Sequence, residues 1–307
     1  MGYRTPPTLS NSVIQSVNSF KATVLANYDA LSTSMISGAL SAAGITTPKI
    51  SASQLAKLIT GTIVPITHHW EGGWSDHPND SGGATMRGVI LTTFRDTFNK
   101  IFKNRGIQQL DNAVASIDAN LAGWRSNNQI GKQFLYQLLS DQKVSSLWVL
   151  YFFCSSSNRY PIAIASEDPY LGFLLYDLCW GSGAGMYKSN KINQLATEYG
   201  WSGSNFARFI VGLGDKTPEF ATKVLQRRMN FILDISKPGS KNSVFRKGWL
   251  NRLINASNSQ VDSLVIINEN FNLNTKGIYT FTQQEKNHLA RKAAIYKTIK
   301  LDFPNLA

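Results

Sequence analysis

The sequence predicts a mainly α-helical fold that carries one polar loop or β-hairpin. Several long stretches place apolar residues at three- and four-residue steps, which is the spacing of one face of a helix. One stretch, residues 68–91, is too polar and too rich in glycine for a core element, and such a run presents side chains from a loop or hairpin. The 307-residue chain is 43% hydrophobic, so it can bury a full core.

Residues 1–61 are predicted to form an appended N-terminal helical module. From Val13 onward the apolar residues follow one helix face, and the opposite face carries Ser, Asn and Thr instead of charges. This pattern fits either a helix packed on its own domain or a short coil that makes a homo-oligomer. The small-residue segment 37–44 is expected to end the first helix, and a second helix is expected from Ser51 to Gly61.

The next helix is predicted to deliver Glu71 at its end, as a candidate general acid. Trp70 and Trp74 flank this carboxyl, and an apolar environment favours the protonated form. Asp80 lies in a polar turn, Pro-Asn-Asp-Ser-Gly-Gly, where a carboxylate stays ionised. A protonated carboxyl that faces an ionised one is the pair that glycoside hydrolysis requires. The two acidic residues therefore indicate a glycosidase site.

Other residues of the same stretch fit a sugar site. Thr85 supplies a hydroxyl that can position a water, and Gly82 with Gly83 lets the backbone run close to a sugar ring. Tryptophan side chains offer large flat rings that can stack on sugar faces. The candidate stacking residues are Trp70, Trp74 and Trp180.

Each of these residues also has an ordinary structural interpretation. Glu71 fits a surface ion pair at a helix end, Asp80 a turn cap, and Thr85 a strand residue. The sequence has no His-Glu-x-x-His spacing and no calcium-loop spacing, so it predicts neither a metal nor another cofactor. Cys154 and Cys179 both lie in apolar runs, which favours two reduced core thiols, with a disulfide as the alternative.

The rest of the chain is predicted to be mostly helical up to a C-terminal extension. An apolar helix face begins at Phe94, and further helices are expected at 110–124 and 133–153. The C-terminal extension has strand-like alternation and then a basic helix. The predicted domains are residues 1–61, 62–255 and 256–307.

The charge balance indicates an anionic partner. The formal net charge is +12 and the pI is near 9.7, with much of the excess charge in residues 216–252. A solvated helix face, attraction to an anionic cell wall and a nucleic-acid surface all fit this stretch. The sequence has no zinc knuckle, no RNA-binding aromatic signature and no clear helix-turn-helix, so we expect no nucleic-acid partner.

One known family has motifs similar to this sequence. Residues 71–90, EGGWSDHPNDSGGATMRGVI, closely resemble the EGGY-x-x-x-P-x-D-x-GG-x-T-x-x-G-I signature of glycoside hydrolase family 108, the phage and bacterial N-acetylmuramidases. Residues 176–185 are similar to the family's Asp-x-x-x-Asn-x-Gly helix, except that Gly181 stands where the family has Asn. Residues 245–253, FRKGWLNRL, resemble the end of its predicted peptidoglycan-binding part.

The resemblance implies a lysozyme-like fold with a small β-hairpin that carries Asp80 and Thr85. It also implies cleavage of the bond between N-acetylmuramic acid and N-acetylglucosamine in bacterial peptidoglycan. Glu71 would be the proton donor, and Asp80 and Thr85 would lie around the attacking water. The same similarity favours inversion at the anomeric carbon.

The N-terminal sequence bears on how such an enzyme would reach the cell wall. It lacks a basic region followed by an apolar stretch, so we expect a soluble protein without its own signal peptide. A phage-encoded enzyme made in the host cytoplasm would reach the wall through a membrane pore or as part of a virion. The N-terminal module is then a candidate attachment to tail or baseplate proteins. The alternatives are a wall-binding or tail structural protein with little turnover and, less favoured, a DNA-associated basic protein.

Overall fold

A computed structural model confirms a mainly α-helical chain with a small antiparallel sheet. The described residues are 5–76, 83–155 and 161–167, followed by parts of 171–245 with further gaps. Contacts divide the chain into two units, which are Met1–Gly38 with Ala52–Phe152 and Ala39–Ser51 with Phe153–Ala307.

Helices make up most of the described chain. Up to residue 154 they are α1 (Asn11–Ala26), α2 (Tyr28–Ala42), α3 (Ala52–Leu58), α4 (Val64–Glu71), α5 (Leu91–Phe102), α6 (Gln108–Asn120), α7 (Asn128–Leu139) and α8 (Gln142–Cys154). A π-helical turn, Ile59–Ile63, joins α3 to α4. Later described helices are α9 (Pro161–Ala165), Ile192–Glu198 and Phe206–Val211. No described helix has both the length and the apolar character needed to cross a bilayer.

Helix α1 packs inside the first unit, against α6 and α7. Ser10 caps it, because the Ser10 hydroxyl oxygen accepts a hydrogen bond from the N–H of Val13 at 3.4 Å. The predicted apolar face of α1 is buried, so the helix matches the interpretation in which it packs on its own domain. The buried residues are Val13, Val17, Phe20 and Val24.

One predicted helix end near the N-terminus is wrong, and one interruption was not predicted. The first predicted helix is divided at Asn27, whose side-chain amide donates to the Thr23 carbonyl at 2.9 Å. Helix α2 then ends at Ala42, inside the segment 37–44 that was expected to end the first helix. The wrong helix end is Gly61, because it lies inside the π-helical turn that leads into α4.

The single helix predicted for residues 133–153 is two helices. Helix α7 ends at Leu139 and α8 begins at Gln142. The break has a local cause, since the Asp141 carboxylate accepts a hydrogen bond from the N–H of Val144 at 3.0 Å and so caps the start of α8.

The core of the first unit is an aromatic cluster around Phe98 of α5. Phe98 is fully buried, and its ring centroid lies 5.1 to 5.8 Å from five other rings, which come from α1, α5, α7 and the loop between α6 and α7. The interplanar angles are tilted or edge-to-face, which aromatic pairs prefer. The five rings are Phe20, Phe94, Phe102, Trp124 and Phe134.

The sheet consists of three short antiparallel strands in the order β1-β2-β3. They are β1 (Trp74–Ser75), β2 (Thr85–Met86) and β3 (Val89–Ile90). A β-hairpin is therefore present where the sequence predicts one, and Thr85 lies on it.

A tight two-residue turn connects β2 to β3. Met86 pairs with Val89, so Arg87 and Gly88 alone form the loop. Their φ angles are +50° and +79°, the two positive values that a type I′ turn needs, and this turn matches the twist of a hairpin.

The predicted domain boundaries stay predictions. The boundary at residue 255 lies among residues 246–307, which are outside the described part of the chain together with the whole C-terminal extension. Cys179 is also outside it, so the pairing of the two cysteines stays open.

Candidate active site

Glu71 is the last residue of α4. Gly72 ends the helix with a φ of +71°, a value that favours glycine, and donates its N–H to the His68 carbonyl at 3.2 Å. The Glu71 side chain is half-buried, and its Oε1 atom is shielded from solvent. The carboxyl therefore stands at a helix end without being a freely exposed surface group.

The β2–β3 turn packs against this carboxyl. A Cβ atom built on Gly88 would lie 2.7 Å from Glu71 Oε2, 2.8 Å from its Cγ and 3.0 Å from its Cδ. Such separations are shorter than real Cβ contacts, so the backbone of the turn fits directly against the side chain of Glu71. The fold thus brings α4 and the hairpin together at the predicted acid.

Arg87 fixes the turn to a third element. Its Nε donates to the Leu139 carbonyl at 3.0 Å and its Nη2 donates to the Ser140 carbonyl at 3.3 Å. These carbonyls belong to the last turn and C-cap of α7, where backbone acceptors lack intrahelical partners. The guanidinium therefore ties the Arg87-Gly88 turn to the end of α7.

His68 lies one helical turn before Glu71 and is buried, with 6% of its surface exposed. Its Nε2 is 3.4 Å from the Ser145 hydroxyl, which itself donates to the Gln142 carbonyl at 3.0 Å. Ser145 then accepts from Nε2–H, and Nδ1 is buried with no hydrogen-bond partner among the described residues. Burial, and after it the charge of Arg87, lowers the pKa of His68 from 6.5 to about 4.

Acid should destabilise the protein through His68. The pKa is about 4 in the folded chain and 6.5 when unfolded, so only the unfolded state takes up this proton as the pH falls from 6.5 towards 4. The stabilisation is complete above pH 6.5 and is lost below it, by roughly 3 kcal/mol at most. The free energy of unfolding is measured by urea titration at pH 7.5 and at pH 4. We expect it to fall less between these two pH values for His68→Gln than for wild type. An equal fall in both proteins would contradict the conclusion that His68 is neutral in the folded state.

Residues 64–122 match the model of one protein family, described as Glycosyl hydrolase 108. This segment of the chain is similar to glycosyl hydrolase 108. The match begins with α4, includes Glu71, the sheet and the Arg87-Gly88 turn, and ends just after α6. It supports glycoside hydrolase activity of the lysozyme-like, peptidoglycan-hydrolysing kind.

The rest of the chain has no such support. The family 108 match stops before residues 176–185 and 245–253, whose resemblance to the family stays a prediction. No curated protein and no solved structure matches the chain.

Five predicted site residues in the segment that matches glycosyl hydrolase 108 are polar residues or glycines. Two of these five lie outside the described residues. These are Asp80 and Gly82, between β1 and β2. Thr85 is half-buried on β2, and its hydroxyl donates to the Gly83 carbonyl at 3.3 Å. Gly83 has a φ of +72°, a backbone conformation that favours glycine, and its predicted closeness to a sugar ring stays a prediction.

The three predicted sugar-stacking tryptophans differ in their surroundings. Trp74 is only 6% exposed and packs edge-to-face on Tyr136 at 5.5 Å, which favours a packing role over stacking on a sugar. The side chain of Trp70 lies outside the described part of the chain. Trp180 is half-buried, packs on Tyr176 at 5.8 Å and belongs to the second unit.

An ion pair anchors the end of β1. Lys132 of α7 donates to both carboxylate oxygens of Asp76, at 2.9 and 3.1 Å, with both side chains half-buried. No local sequence pattern predicts this pair, because 56 positions separate the two residues.

Among the described residues, no group of three or more His, Cys, Asp or Glu side chains could hold a metal ion. The absence of a metal or other cofactor stays a prediction.

Proposed function

We propose that the protein is a peptidoglycan muramidase in which Glu71 is the general acid. The observation that carries the proposal is the placement of the Glu71 carboxyl at the end of α4, against the hairpin turn, within the segment that matches glycosyl hydrolase 108. The substrate is bacterial peptidoglycan, and the bond that is cleaved runs from N-acetylmuramic acid to N-acetylglucosamine.

Glu71 donates its proton to the glycosidic oxygen as that bond breaks, which makes the departing sugar a neutral alcohol. Positive charge then develops on the remaining sugar ring. Asp80 and Thr85 act at the water that attacks it, Asp80 as the base and Thr85 as a hydroxyl that orients the water. This arrangement inverts the anomeric centre, and it calls for carboxyl groups roughly 6.5–9.5 Å apart, against about 5 Å for retention.

The stacking residues proposed for the sugar are Trp70, Trp74 and Trp180, with Gly82 and Gly83 giving the backbone close access. The burial of Trp74 makes it the weakest of these assignments.

The biological setting that we propose is a phage lysin. The enzyme acts at the bacterial cell wall, which it reaches through a membrane pore or as a tail-associated virion protein. In the second case the N-terminal helices are the attachment to tail or baseplate proteins. The net charge of +12 favours attraction to an anionic wall in either case.

A competing function is a wall-binding or tail structural protein with the same fold and little turnover. Product analysis separates the two. The full-length protein is incubated with peptidoglycan from several bacteria, and the soluble products are reduced with borohydride and identified by mass spectrometry. Fragments that end in reduced N-acetylmuramic acid are the expected result. Reduced N-acetylglucosamine ends would contradict the bond that we propose, and no fragments from any wall would favour the structural protein.

A further inference from the structure

We propose that Gly88 is a positioning residue for Glu71. The missing Cβ of Gly88 lets the Arg87-Gly88 turn lie against the Glu71 carboxyl and hold it in the orientation from which it donates its proton. This inference rests on the proposed role of Glu71 as the general acid.

The contact extends along the side chain of Glu71. A Cβ on Gly88 would meet Oε2 at 2.7 Å, Cγ at 2.8 Å and Cδ at 3.0 Å. The clash therefore involves the middle of the side chain as well as its tip, and a small rotation of the carboxyl group alone would not relieve it. Any other residue at position 88 has to displace either Glu71 or the turn.

Glu71 is the partner that should give way. The turn is held by the pairing of Met86 with Val89 and by the bond from the Leu91 N–H to the Ala84 carbonyl at 2.9 Å. Arg87 adds its two bonds to the end of α7. The Glu71 side chain instead has three rotatable bonds. A Cβ at position 88 should thus leave the hairpin in place and move the acid.

Gly88 also has a φ of +79°, so a substitution there adds backbone strain to the clash. Two comparisons separate these effects. Gly106 has a φ of +73° and nothing within 4 Å of an added Cβ, so Gly106→Ala reports the strain alone. Asn tolerates positive φ better than Ala, so Gly88→Asn keeps the Cβ clash while it reduces the strain.

The first experiment measures kcat and KM of the full-length variants on soluble peptidoglycan fragments. We expect Gly88→Ala and Gly88→Asn each to lose about 100-fold in kcat, because a displacement of about 1 Å at a reacting group has that effect. KM should change little, since the turn is not assigned to substrate binding. Gly106→Ala should keep the wild-type kcat. Near-normal kcat for both Gly88 variants would overturn the proposal.

The second experiment measures the contact itself and does not depend on catalysis. Gly88→Ala is made in wild type and in Glu71→Ala, and the fall in Tm is compared. Gly88→Ala should lower the Tm by more in wild type than in Glu71→Ala. In the Glu71→Ala background, the fall in Tm should equal the fall that Gly106→Ala causes, which is about 2–8 °C. An equal fall in both backgrounds would overturn the proposal. The proposal would also be overturned if the double variant could not fold although Glu71→Ala and Gly106→Ala each fold.

The two experiments distinguish a failure of this inference from a failure of the proposed function. If Glu71→Gln keeps full activity, Glu71 is not the acid, whatever the Tm comparison gives. If Glu71→Gln is inactive but the Gly88 variants are active, only the positioning role of Gly88 is lost.

Discussion

Replacing Glu71 with Gln should abolish the release of peptidoglycan fragments while the protein stays folded. Glutamine has almost the same size and shape as glutamate, so it preserves the packing against Gly88, but it has no acidic proton to donate. General acid catalysis contributes about 10²–10⁴-fold, and we expect a rate loss in this range or beyond. The measurement is the rate at which new reducing ends appear in a wall suspension.

Glu167→Gln is the matched control. Its carboxylate is also largely shielded, with 14% of the side chain exposed, and it pairs with Lys49 at 3.1 Å outside the glycosyl hydrolase 108 segment. This variant should keep the wild-type rate. Wall binding by sedimentation should be retained by both variants. Undiminished release by Glu71→Gln would remove Glu71 from the mechanism and turn attention to other carboxyls.

Phe98→Ala should cause the largest loss of stability. Phe98 is completely buried and its ring touches aromatic side chains from several elements, so its removal deletes apolar contacts and leaves a cavity. Truncation of a buried phenylalanine to alanine costs about 3–5 kcal/mol, a large part of the stability of a typical domain. The free energy of unfolding from urea titration measures this effect.

Val244→Ala is the comparison for Phe98→Ala. Val244 is 78% exposed, so its truncation should change the free energy of unfolding by no more than about 0.5 kcal/mol. If the two variants lost similar amounts of unfolding free energy, the aromatic cluster would not stabilise the fold in the way that its geometry indicates.

The helices and the hairpin could be predicted because their signals are local. Apolar residues at helical spacing marked the buried face of α1, and a polar, glycine-rich stretch marked the hairpin that carries Thr85. Errors arose at Gly61, where the helix continues through a π-helical turn, and at interruptions, where one side chain decides the outcome. Asp141, for example, caps α8 and so divides a continuous apolar pattern into two helices.

Contacts across the site could not be predicted in the same way. The approach of Gly88 to Glu71 depends on the register of β2 and β3, because a shift by one residue would put a different residue in the turn. The anchoring of Arg87 depends on where α7 ends, which the sequence pattern placed wrongly. The local indication of a type I′ turn was an Arg-Gly pair between Thr85-Met86 and Val89-Ile90.

The π-helical turn Ile59–Ile63 sets the direction in which Glu71 points. An α-helix rotates by about 100° with each residue, and a π turn fits an extra residue into the helix without ending it. Helix α4 therefore has a different rotational phase from the one that a regular continuation of α3 would impose. With one residue fewer in this turn, α3 would keep its buried face, but the Glu71 side chain would point roughly 100° away from the Arg87-Gly88 turn. The extra residue in the π-helical turn thus rotates α4 relative to α3. This rotation lets α3 bury its apolar face while Glu71, at the end of α4, faces the Arg87-Gly88 turn.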